Sequence, residues 1–163
     1  MKKNGKRFNI ELVIVDDCSK DKSIEEVEKL DDSRVTLIKL HQNYGANYAS
    51  NIGIKESLGD IIAFQDSDDL WREGKLLAEI IKMIEEKADL GIKKVVIFRE
   101  EGWINIKDLL YVNIISTQTI VSKREVFEHN KFKLNLSRFQ DWEFALRISD
   151  KYNFFYLSDV LVD

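Results

Sequence analysis

Ile61-Ile62-Ala63-Phe64-Gln65-Asp66-Ser67-Asp68-Asp69 runs four apolar residues almost directly into three carboxylates. A short apolar run of this kind reads as a fully buried strand, and the acids mark its end. Gly59-Asp60 supplies the turn before it. After it, Leu76, Leu77, Ile80, Ile81 and Ile84 fall on one stripe of a helix reaching about residue 88. The repeating unit is a strand, an acidic strand end and a helix.

Upstream, Phe8, Ile10, Leu12 and Ile14 alternate and the run becomes continuously apolar at Val15, predicting a strand over 8–15 that ends at Asp16-Asp17. Ser23-Ile24-Glu25-Glu26 has the capping-box pattern, with Ile24, Val27 and Leu30 on one helical stripe. A strand over 35–40 and a helix over 44–57 follow. Downstream, strands are expected at 95–98, 119–121 and 153–157, with helices at 123–128 and 139–150. Between 103 and 127 the pattern blurs. Strands alternating with helices imply an α/β, Rossmann-like fold in one domain over 1–163, a mainly parallel sheet with helices on both faces. Ligands in such folds bind at the carboxyl ends of the strands, where both acidic clusters fall.

Composition narrows the partners. The chain has 163 residues, a net charge of -4 and one cysteine. That charge offers no basic field for nucleic acid, and Cys18 alone forms no internal disulfide. The charged start carries no secretory apolar core, and the apolar runs are too short to span a bilayer. A cytoplasmic location, peripheral to a membrane at most, is the expectation.

Three carboxylates at Asp66, Asp68 and Asp69 repel one another unless a cation or helix N-terminus offsets them. A hard divalent ion such as Mg²⁺ or Mn²⁺ takes such oxygens and keeps positions for phosphate. The alternative is capping by Asp68 or Asp69 of a helix entered near Trp71. Asp16-Asp17 could accept hydrogen bonds from a base or ribose, or merely cap a turn. Asp141, in Gln140-Asp141-Trp142-Glu143, reads either as a general base or as ordinary first-turn dipole chemistry. His41 and His129 read as surface residues, Trp103 and Trp142 as packing, Trp71 beside the acidic cluster as either packing or an acceptor platform, and Cys18 as a small turn residue.

Taken in order, four stretches resemble the family 2 glycosyltransferases of the GT-A fold. They are Glu11 to Asp21, Asn43-Tyr44-Gly45-Ala46 with Asn51-Ile52-Gly53-Ile54, Gly59 to Asp69, and Gln140-Asp141-Trp142. The resemblance implies inverting, metal-assisted transfer of a sugar from a nucleotide-diphosphate sugar, most often UDP-linked, to an acceptor hydroxyl on a glycan or lipid-linked glycan. Asp16 and Asp17 would meet the nucleotide, with Asp17 on the base. Asp66 and Asp68 would bind the nucleotide sugar, Asp68 and Asp69 the Mn²⁺ or Mg²⁺, and Asp141 would be the catalytic base. The chain departs from the family at Ser50, where an arginine is usual, and at Gln140, where an acid often stands. The family's first strand and helix should precede Phe8, so the resemblance makes the domain N-terminally truncated and little active alone. Two other classes fit less of the chain. A receiver-type signalling domain leaves Asp68, Asp69 and Asp141 without roles, and a non-catalytic nucleotide-binding module keeps the fold without turnover.

Overall fold

A computed structural model describes residues 2–3, 6–87, 90–93, 102–111, 113 and 115–157. The chain divides into two compact units, Met1–Gly59 with Phe132–Asn135, and Asp60–Lys131 with Leu136–Asp163.

In the first unit, β1 (Lys2–Lys3) and β2 (Lys6–Arg7) form a small antiparallel pair. β3 (Leu12–Asp16) runs parallel to β4 (Val35–Lys39), in register from Leu12↔Val35 to Asp16↔Lys39. The crossover between them carries α1 (Ser23–Glu28), and α2 (Ala46–Glu56) packs on β3 with Gly53 against Val15. The strand expected from residue 8 therefore begins at Leu12, because β4 offers no partner before Val35. The capping box does not form either. Asp21 Oδ1 accepts the Ser23 N–H at 2.9 Å instead, and Lys22 is the N-cap without a side-chain bond.

Polar side chains close this unit. Glu11 Oε1 accepts the N–H groups of Leu58 and Gly59 at 2.5 and 2.7 Å. Asn47 donates to the Lys133 carbonyl at 2.7 Å, while Asn51 both donates to the Phe132 carbonyl at 2.9 Å and accepts its N–H at 3.0 Å. Two asparagines on one helix thus fasten a segment more than eighty positions away.

The second unit contains β5 (Ile61–Ala63), α3 (Lys75–Glu86), β6 (Leu90–Lys93), β7 (Gly102–Ile104), α4 (Ile106–Tyr111), β8 (Ile120–Lys123), α5 (Arg124–His129), α6 (Gln140–Ile148) and β9 (Phe154–Leu157). Its sheet has the order β5-β8-β6-β9-β7. β6 and β9 are parallel, as β3 and β4 are in the first unit, whereas β8 runs against both β5 and β6, and β7 runs against β9. This sheet is thus more mixed than the expected parallel one, since side-chain periodicity does not encode strand direction. The strand expected at 95–98 lies outside the described residues. β5 is half-buried rather than fully buried, with only Ile62 in the core, because among the described residues it pairs with β8 alone.

The core of this unit is apolar and dense. Val121, Val126, Phe127, Phe144, Ile148 and Tyr156 are all fully buried, each stabilising the fold by about 1.5–3 kcal/mol. Phe127 stacks on Phe144 and meets the edge of Phe64, both at 5.3 Å between ring centres. Phe64 therefore ties the end of β5, and the acids beyond it, to the core.

Candidate active site

After the Phe64 N–H donates to the Ile120 carbonyl, the chain leaves the sheet. The Asp69 N–H donates back to the Asp66 carbonyl at 3.3 Å, closing a turn. The Gln65 amide donates to the carbonyls of both Asp66 and Asp69, at 2.9 and 2.6 Å, and ties the two ends together. Nothing in the sequence pattern marks Gln65 for this task, since one polar residue after a strand has no period.

Burial is the main cause that raises the Asp66 carboxyl above its usual range. The negative charges of Asp69, Asp68 and Asp141 push in the same direction. The last of these is the observation that sequence cannot supply: Asp141 stands within electrostatic range of the acidic turn. It is the second residue of α6, whose N-cap, Phe139, takes a left-handed backbone with φ 58° and ψ 27°. A bulky residue there is strained, and such strain gathers at sites where direction matters. Asp141 Oδ1 accepts the Trp142 N–H at 2.7 Å. Burial raises the Asp141 carboxyl, and main-chain hydrogen bonds from Trp142, Asp141 itself and Thr117 offset part of that. The Trp142 indole donates to the Leu109 carbonyl at 2.6 Å, fixing the first turn of α6 against α4.

Helix capping does not account for the acids. α3 starts at Lys75, behind Gly74 in the left-handed region (φ 84°), and its N-cap makes no side-chain bond. Asp68 and Asp69 lie well before that start. Among the described residues no group of three or more His, Cys, Asp or Glu is placed so that it could together hold a metal ion. The donor chemistry, three carboxylates on one short turn, is of the all-oxygen kind that a hard divalent ion takes.

In the first unit, Asp16 is buried and its Oδ2 accepts the Ser19 N–H at 3.1 Å. Asp17 accepts the Tyr44 N–H on Oδ1 and the Gly45 N–H on Oδ2, both at 2.7 Å. The Asn43 amide donates to the Asp17 carbonyl at 3.1 Å. Gly45 has φ 90°, so the turn held by Asp17 needs glycine there. Cys18, at φ 68°, is indeed a turn residue.

The model of the Glycosyl transferase family 2 matches residues 2–153. The chain belongs to that family. Among its curated relatives, UDP-Glc:alpha-D-GlcNAc-diphosphoundecaprenol beta-1,3-glucosyltransferase WfaP of Escherichia coli is 35% identical over 109 residues, covering 67% of this chain and 40% of the relative. The fold matches TarS of S. aureus in complex with UDP-GlcNAc, with TM-score 0.79 and 21% identity over 93% of this chain and 48% of that one. It also matches mannosyltransferase PcManGT from Pyrobaculum calidifontis, in complex with GDP-Man and Mn2+, with TM-score 0.74 and 20% identity over 98% and 48%. These neighbours are GT-A glycosyltransferases, so the family 2 fold is the α/β, Rossmann-like fold expected from the strand and helix pattern. The chain spans about half the length of the curated family members it matches.

Proposed function

We propose that this chain carries the donor site and general base of an inverting glycosyltransferase. The donor is a nucleotide-diphosphate sugar, UDP-linked by preference, and the acceptor is a hydroxyl of a glycan or lipid-linked glycan. The observation that carries the reading is the convergence of Asp66, Asp68, Asp69 and Asp141 in the second unit, with carboxylate charges acting on Asp66. Support comes from the UDP-GlcNAc and GDP-Man with Mn2+ in the solved neighbours and from the UDP-Glc donor in the relative's name.

Asp66 and Asp68 would bind the sugar and ribose hydroxyls, and Asp68 and Asp69 would hold Mn²⁺ or Mg²⁺ through carboxylate oxygens. Such an ion, when bound, offsets the charge that grows on the departing diphosphate. Asp16 and Asp17 are assigned to the nucleotide, with the outer lone pairs of Asp17 accepting from the base. Asp141 accepts the acceptor's hydroxyl proton as that oxygen bonds to the anomeric carbon. The bond from the anomeric carbon to the diphosphate oxygen breaks, and its electron pair leaves with the diphosphate. The raised carboxyl of Asp141 suits this work, because a base is most effective when its pKa approaches the working pH. Among the described residues no helix is long and apolar enough to cross a membrane.

Calorimetry with UDP tests the reading. UDP should bind measurably more tightly with Mn²⁺ than with chelator, and Asp68→Asn combined with Asp69→Asn should erase the difference. Identical affinity with metal and with chelator in the unaltered protein sinks it.

A further inference from the structure

The segment that leads from the acidic turn to α3 is fixed at one inward point. Leu70 is 73% exposed, and Arg72, Glu73 and Gly74 are exposed, whereas Trp71 is drawn in. The Lys75 ammonium sits 4.2 Å from the centre of the Trp71 ring. The indole N–H is buried without a hydrogen-bond partner among the described residues, so the ring is held by its face. Lys75 Nζ bonds Glu79 Oε2 at 3.0 Å, and both side chains are only 1% exposed. Burial draws the Lys75 pKa down, and the Glu79 charge and hydrogen bond oppose that.

A fully buried ion pair adds little that two apolar side chains of the same size could not, since desolvation cancels most of the attraction. What an apolar pair cannot do is press a cation against an aromatic face, an attraction that strengthens when water is excluded. The ammonium is held between the Glu79 carboxylate and the Trp71 ring, and Trp71 stands two residues beyond the last acid of the turn. We infer that Lys75, seated by Glu79, is a positioning residue that pins Trp71 and so sets the exit of the acidic turn. This rests on the donor-site reading above.

Lys75→Met alone takes the ammonium from a carboxylate that stays buried and will destabilise the protein, so the informative variant is Lys75→Met with Glu79→Gln, which removes both charges and keeps the polar atoms of residue 79. It should melt near the unaltered protein, bind UDP with Mn²⁺ about 10-fold more weakly, and exchange the amide hydrogens of residues 68–71 faster. Trp71→Phe, which keeps a ring under the ammonium, should bind much as the unaltered protein does, and Trp71→Leu should behave like the double variant. Unchanged affinity and exchange in a double variant that still folds would overturn the inference, as would a collapse of its melting temperature, which makes the pair merely structural. If the unaltered protein shows no Mn²⁺-dependent UDP binding, the donor-site reading falls first. Exchange then decides the anchor alone: faster exchange in the double variant upholds it and equal exchange overturns it.

Discussion

The strand ends at Asp16-Asp17 and at Asp66-Ser67-Asp68-Asp69 look alike in sequence, yet different things meet their carboxylates. In the first unit, backbone N–H groups meet them: Ser19 for Asp16, Tyr44 and Gly45 for Asp17. In the second, the charges acting on Asp66 come from other carboxylates. A carboxylate satisfied by main chain holds a loop in shape. One crowded by its own kind holds its proton more tightly. The units differ in the same sense throughout. Among the described residues, Ile54 and Phe132 are the buried apolar side chains of the first unit, which polar bonds close, while the second is built on aromatic and aliphatic packing.

The largest effect that would sharpen this contrast lies at Asp141. In the full enzyme, Asp141→Asn should cut transfer by about 10²-fold or more while UDP binding stays nearly unchanged. Near-normal turnover would remove Asp141 from the chemistry.

Its pH behaviour has a fixed sign. The folded protein holds the Asp141 proton more tightly than the unfolded chain does, since burial lifts the carboxyl above 3.8. The stability from that group is complete below the unfolded pKa and is lost as pH rises through the folded one. Activity needs the ionised base and should rise across the same window. A rate profile whose acid limb survives Asp141→Asn would assign that limb elsewhere.

Smaller effects test the contrast between the acids directly. Asp17→Ala removes the acceptor of two N–H groups and should lower stability by about 1–2 kcal/mol in a urea titration. Asp68→Asn relieves repulsion on an exposed turn and should change stability by no more than about 0.5 kcal/mol. If Asp68→Asn destabilises as much as Asp17→Ala, the two strand ends are physically alike after all. The smallest effect is one of rate: amides of β3 and β4 should exchange faster than those of β8 and β9, since a sheet with two strands among the described residues resists opening poorly.

Much of this is written locally in the sequence. The apolar runs before Asp16 and Asp66, and the stripe Leu76, Leu77, Ile80, Ile81 and Ile84, are short-range patterns, and they place β3, β5 and α3. What escapes is short or non-local. β7 and α4 span three and six residues, too few to show a period. The left-handed backbone at Phe139 has no glycine to announce it. The approach of Asp141 to Asp66 follows from α6 starting where it does in the folded chain, which no spacing of motifs records.

The strand order β5-β8-β6-β9-β7 also sets a timetable. A ribosome delivers β3 and β4 together with their crossover, so the parallel pair can form as soon as Lys39 has emerged. The other sheet has β9 in its interior, and β9 ends at Leu157, so it cannot close until Leu157 has been made. At about 5–20 residues per second, the weaker unit waits on the order of ten seconds before its sturdier neighbour exists. For most of that interval the first unit also lacks the late segment Phe132–Asn135 to which Asn47 and Asn51 bind. The β3–β4 pair is therefore open to a nascent-chain chaperone well before the second sheet exists.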